Sequence, residues 1–342
     1  MVPGFKTCPQ VTRRIRSDAL KLLAFLACTL VLGALLAPAM YNIGKAIVGF
    51  RMFDGYLNKV LEESDFGRYF NRAMLLAALI CLIPLLRSLR LRRTELGLVR
   101  NPNKLLHLGG GFLLAGGLLL LMGWVYLKLG LFRAEIMKEG VLVAYQDWSW
   151  SKVGLFLQQG FGASILEELI FRCALLGVVL RSARPLTALL FISFFFAIVH
   201  FLKPPEGLVI ADGDVGFGTG FYMVGQIFAN FGNPVFILAE FTTLFAVGLV
   251  LGWARLRTCS LWLPIGLHAG WVFSLKLFNY HTFVPGRYRP DLLPPYVGID
   301  LKTGLIPLTV VCLTGVIAAI LLRLGSRRRL SRSESNHEPQ PA

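Results

Sequence analysis

Glu167 and Glu168 stand side by side in the run Ser164-Ile165-Leu166-Glu167-Glu168-Leu169-Ile170-Phe171-Arg172, which puts two carboxylates and a guanidinium inside an otherwise apolar stretch. That stretch extends from about Val153 to Leu180, longer than the ~20 residues that span a bilayer core. Ionisable side chains at that depth are expensive, and their presence points to function. Two histidines in other apolar runs, His200 and His268, complete a Glu/His/His set drawn from separate helices, which is how helical bundles build sites.

On a helix, Glu168 and Arg172 are four residues apart, on one face and in the favoured order for an ion pair. Glu167 is rotated about 100° from Glu168 and is free to point elsewhere. One arginine neutralises one carboxylate, so a second is left over, and a carboxyl without a fixed counter-charge is what a general base requires. The competing reading makes all three charges a buried network that only holds helices together. Two chemistries suit Glu167, His200 and His268. One is a divalent metal such as zinc, held by the imidazoles and the carboxylate with an open water position. The other is metal-free, with water activated by Glu and His while the remaining His stabilises an oxyanion. The H-E-x-x-H pattern is absent, so spacing does not choose between them.

Of the 342 residues, 55% are hydrophobic and only 16% charged, which excludes an ordinary soluble protein. The fold class expected is all-α, a polytopic membrane protein of about eight transmembrane helices. The formal net charge of +16 lies in clusters between apolar runs, which reads as orientation charge and not as a nucleic-acid footprint. Cys8, Cys28, Cys81, Cys173, Cys259 and Cys312 are scattered singly, indicating neither a disulfide framework nor a thiolate metal site.

These elements must position the site. Residues 1–21 form a basic amino-terminal segment with Lys6, Arg13, Arg14 and Arg16, followed by a retained first span over Leu22 to about Ile43. A mixed-charge loop from Arg51 to Arg72 leads to a short second span, about Ala73–Leu89, and then a basic loop with Arg90, Arg92, Arg93 and Lys104. The third span, about Leu105–Phe132, carries Gly109, Gly110, Gly111, Gly116 and Gly117. With no strand before them these suit close helix packing and not phosphate binding. In the loop from Arg133 to Lys152, Trp148 and Trp150 suit the membrane interface. The acidic motif lies in the fourth span and His200 ends the fifth, about Leu186–Leu202. The Gly-rich segment from Glu206 to Pro234 reads as interfacial or re-entrant. The sixth span is about Val235–Ala254, the seventh about Cys259–Phe278 with His268, and the eighth about Leu305–Leu324, after a Pro-rich loop with Arg287, Arg289 and Asp291. The membrane domain is thus 22–324 with a catalytic core at 153–280, and 325–342 is a basic tail ending in disorder. Every basic loop falls on one side of this arrangement, which puts both termini in the cytoplasm of a cell bounded by an inner (plasma) membrane.

The order Glu167-Glu168-x-x-x-Arg172, then Phe196-x-x-x-His200, then His268 resembles the three motifs of the CPBP (Abi, CAAX-protease-like) intramembrane endopeptidases, over roughly Gly160 to Ser274. The resemblance implies an eight-helix fold and hydrolysis of a peptide bond in a membrane-associated protein or peptide. It implies water activation by Glu167 and His200, oxyanion stabilisation by His268, and Glu168 with Arg172 as an ordering pair. The family's third motif usually carries a polar residue four positions after its histidine, where this chain has Val272. Either a substitute donor such as the Trp271 indole N–H serves, or the activity is weaker or specialised. The family also includes proteins tied to bacteriocin immunity, so a non-catalytic immunity or scaffold role is the alternative. A small-solute transporter fits less well because no internal repeat is visible.

Overall fold

The computed structural model describes residues 15–50, 55–89, 94–138, 141–202, 204, 208–229, 234–285, 296–298 and 300–335. Outside them lie Lys6, Cys8, Arg13 and Arg14, Arg51 and Asp54, the basic residues Arg90, Arg92 and Arg93, Lys203 to Glu206 apart from Pro204, the loop residues Arg287, Arg289 and Asp291, and the chain from residue 336. The described chain is almost wholly helical and divides into two compact units, each made of two chain segments. Among the described residues, four helices are long and apolar enough to cross a membrane, namely Leu20–Gly49, Phe66–Leu89, Lys104–Lys128 and Leu305–Gly325. The other four expected spans correspond to helices outside that set, of which Pro185–Val199 is apolar but shorter.

The first unit comprises Met1–Leu98 and Leu169–Leu238. Helices α1 (Ile15–Gly49) and α3 (Phe66–Leu89) pack on each other, with the short α2 (Tyr56–Glu62) between them in the chain. The second span therefore starts at Phe66 and not near Ala73. Asp65 caps it by accepting the Arg68 backbone N–H at 2.8 Å, and Phe66, Tyr69, Phe70 and Ala73 form its buried stripe at helical spacing. The charges Arg68 and Arg72 on this first stretch make it read as loop in the sequence.

The segment after His200 forms a short 3₁₀ turn, Asp212–Asp214, and then a helix, α8 (Thr219–Ala229). Met223 and Ile227 of α8 join Ala37, Tyr41, Phe66 and Phe70 in the unit's core. At Gly220 a Cβ would fall only 1.9 Å from the Ala34 carbonyl oxygen, so α8 meets α1 backbone to backbone and only glycine fits. Asp212 accepts the Tyr41 hydroxyl hydrogen bond and pairs with Lys45 at 3.2 Å. The Tyr41 hydrogen bond, followed by that from Lys45, holds the Asp212 carboxyl below its ordinary pKa.

The second unit comprises Val99–Glu168 and Ala239–Ala342. Its centre is the pair α4 (Lys104–Lys128) and α10 (Trp262–His281), with Leu119, Met122, Tyr126, Leu267, Trp271 and Phe278 in the shared core. Between α4 and α5 (Trp150–Glu168) an antiparallel hairpin pairs β1 (Glu135–Lys138) with β2 (Val141–Ala144), in the register Glu135 to Ala144 and Met137 to Leu142. Of the α4 glycines, Gly111, Gly116 and Gly123 lie against α10, whereas Gly109, Gly110 and Gly117 have open space where a Cβ would be. Helical periodicity sorts them by the face they occupy on α4.

A methyl group at Gly270 of α10 would lie 2.4 Å from the Phe112 carbonyl oxygen and 2.9 Å from the Gly116 nitrogen, both of them backbone atoms. The helices must separate to admit it. Gly270→Ala is expected to destabilise the protein by about 2 kcal/mol, in the usual range for overpacking, and to shift His268 two residues earlier on the same helix. Thermal unfolding in detergent checks this against Gly117→Ala, where a Cβ meets nothing within 4 Å; there the melting temperature should hold or rise, since alanine favours helix over glycine.

Candidate functional site

The acidic motif lies where the helix changes type. Helix α5 runs to Glu168, and the chain continues as a π-helical stretch over Leu169–Leu175 before α6 (Leu176–Val179). Wide turns of this kind recur at functional sites. The i,i+4 spacing from Glu168 to Arg172 assumes α geometry throughout, and the sequence gives no cue for the π stretch.

In the second unit, α5 and α10 bring Glu167, Glu168 and His268 together. The Nδ1 of His268 is 2.9 Å from Glu168 Oε1, and its Nε2 is 3.8 Å from Glu167 Oε2. Each ring nitrogen thus faces a carboxylate, although the two glutamates are adjacent in sequence. Their surroundings differ: the Glu168 side chain is 0% exposed, that of His268 8% and that of Glu167 27%. Glu167 is the least buried of the three. A carboxylate only accepts, so Nδ1–H donates to Glu168 and fixes the ring's orientation. Nε2 faces the Glu167 side. The Glu168–His268 hydrogen bond is the main feature that sequence spacing missed, since it joins residues 100 positions apart.

The first unit holds the remaining motif residues. His200 caps α7 (Pro185–Val199), a helix that starts with proline at its first turn, where the missing N–H does no harm. The His200 Nδ1 is 2.7 Å from the Phe196 carbonyl oxygen. A carbonyl cannot donate, so Nδ1 carries the hydrogen and Nε2 is the basic nitrogen of the neutral ring. Phe196 is fully buried; its ring lies 4.5 Å from that of His200 and meets Phe171 edge-on at 5.1 Å. The Arg172 guanidinium, also fully buried, lies 4.2 Å from the Phe196 ring centroid, a cation–π geometry. Phe196, a residue of the second motif, is therefore the common support of Arg172 and His200.

Trp271 is buried in the apolar cluster of the second unit, and its Nε1–H meets no acceptor among the described residues. Val272 follows it on α10. Among the described residues no three His, Cys, Asp or Glu side chains are grouped as a metal would require.

A family model described as Type II CAAX prenyl endopeptidase Rce1-like matches residues 148–274, which takes in Glu167, Glu168, Arg172, Phe196, His200 and His268. No curated protein and no solved structure matches the chain.

Proposed function

With residues 148–274 forming a Rce1-like domain of the CAAX-protease (CPBP) type, we propose that the chain is an intramembrane endopeptidase hydrolysing a peptide bond in a membrane-associated protein or peptide. The single observation that carries this reading is the His268 ring held between a fully buried carboxylate and a less buried one. Glu167 takes a proton from water as the water oxygen attacks the scissile carbonyl, and later delivers it to the leaving amine. The doubly protonated His268 ring donates from Nδ1 to Glu168 and from Nε2 to the oxyanion, so the donor is oriented before the charge develops. His200 enters through its motif alone: the resemblance gives it a share, with Glu167, in activating the water. Phe196 and Arg172 hold His200, and Trp271 Nε1–H is a second oxyanion donor in place of a polar side chain at Val272.

Purified protein in liposomes, mixed with lipid-anchored quenched fluorescent peptides of randomised sequence, tests the activity directly. Cleavage by the wild type supports the reading; no cleavage of any peptide, with no substrate captured by an inactive Glu167 variant in cells, overturns it.

The basic loops support a reading with both termini in the cytoplasm, the membrane being the inner (plasma) membrane. Reporter fusions after Arg93 and after Gly140 are expected to report opposite sides. If both report the same side, α4 does not cross the membrane as proposed.

A further inference from the structure

The face that α5 turns toward α10 is the four-residue stripe Phe156, Gly160, Ser164 and Glu168, all buried. Contacts fix it on both sides of Ser164. A Cβ at Gly160 would lie 3.2 Å from the Ala269 carbonyl oxygen and 3.4 Å from the Phe273 nitrogen, while Glu168 holds His268 at 2.9 Å. Ser164 is therefore one helical turn from the Glu168–His268 pair, facing the same stretch of α10. Its side chain is 0% exposed, and its hydroxyl meets no hydrogen-bond partner among the described residues.

A helical serine ordinarily satisfies itself on the carbonyl four residues back or turns to solvent, and a buried hydroxyl that does neither is destabilising unless a partner arrives. Alanine would fill the position without that penalty. Resting on the endopeptidase reading, we propose that Ser164 is a positioning residue of the site, whose hydroxyl hydrogen-bonds a water held against the buried Glu168–His268 pair and so fixes the orientation from which His268 serves the oxyanion. Ser164 exchanges no proton with the substrate. The attacking water is a separate one: its oxygen forms the new bond to the carbonyl carbon, and its proton passes to Glu167.

The proposal separates stability from activity, which a packing role cannot do. Ser164→Ala removes an unsatisfied group, so the melting temperature should stay constant or rise. Its kcat on the lipid-anchored fluorescent peptides should nevertheless fall about tenfold to a hundredfold, the scale of a misplaced catalytic group, with KM within about twofold. Ser164→Cys, close in volume and a weak donor, should fall between serine and alanine in kcat. The proposal is overturned if Ser164→Ala keeps the wild-type kcat, if only KM changes, if kcat and melting temperature fall together, or if the cysteine variant matches the wild type while the alanine variant is slow, since volume would then be the cause. Failure of the endopeptidase reading looks different: wild type and Glu167→Gln would both leave the peptides intact.

Discussion

Glu167→Gln is expected to slow peptide cleavage by at least about a hundredfold while leaving the yield and melting temperature of the protein unchanged. The side chain is the least buried of the three and lies farther from His268, at 3.8 Å against 2.9 Å for Glu168. Glutamine keeps its shape and much of its hydrogen bonding but cannot take up a proton. Folding should therefore be indifferent to the change, and chemistry should not. A non-catalytic immunity or scaffold protein predicts the reverse, full function in the variant, so initial rates together with thermal unfolding decide between enzyme and scaffold. The same variant retains its substrate uncut, and mass spectrometry of what co-purifies with it would identify that substrate.

Much of the fold is legible in the sequence because lipid leaves few options: a backbone without water must satisfy itself in helices, so long apolar runs give the helices directly. The boundaries are less legible. Phe66 to Arg72 reads as loop by its charges, although Asp65 caps a helix there and the apolar residues share a buried face. The hairpin strands Glu135–Lys138 and Val141–Ala144 are too short for hydropathy to reveal, and the helix at Thr219–Ala229 reads in the sequence only as part of an interfacial or re-entrant segment.

In the site, residue types and order identify Glu167, His200 and His268 as a set, because charge and imidazole inside apolar runs stand out. Partnerships are a different matter. Helical spacing sets Arg172 four residues after Glu168, but it reveals neither the π-helical stretch from Leu169 nor the hydrogen bond between Glu168 and a histidine on another helix. Arg172 lies over Phe196 in a contact between ring face and cation that no local spacing encodes. Such pairings depend on how helices cross, which a single sequence does not state.

Glu168→Ala is expected to damage both the fold and the chemistry, in contrast to Glu167→Gln. The Glu168 carboxylate is fully buried and accepts the His268 Nδ1 hydrogen bond. Its loss leaves a cavity and removes the acceptor of a buried N–H, and breaking such a pair from one side typically destabilises by about 3 kcal/mol or more. Glu168→Gln should recover most of that stability, because the amide oxygen still accepts from Nδ1–H. It should remain slow, because a neutral amide does not stabilise the imidazolium that His268 needs to donate to the oxyanion. A cycle with His268→Ala makes the pairing measurable: if the two side chains act on stability through each other, the double variant loses less than the sum of the singles, by about 1–3 kcal/mol. Strict additivity in thermal or denaturant unfolding would refute the Glu168–His268 bond as a stabilising contact. If Glu168→Gln were folded and inactive while Glu167→Gln still cut peptide, the roles of the two glutamates would be exchanged, with Glu168 the base and Glu167 its neighbour.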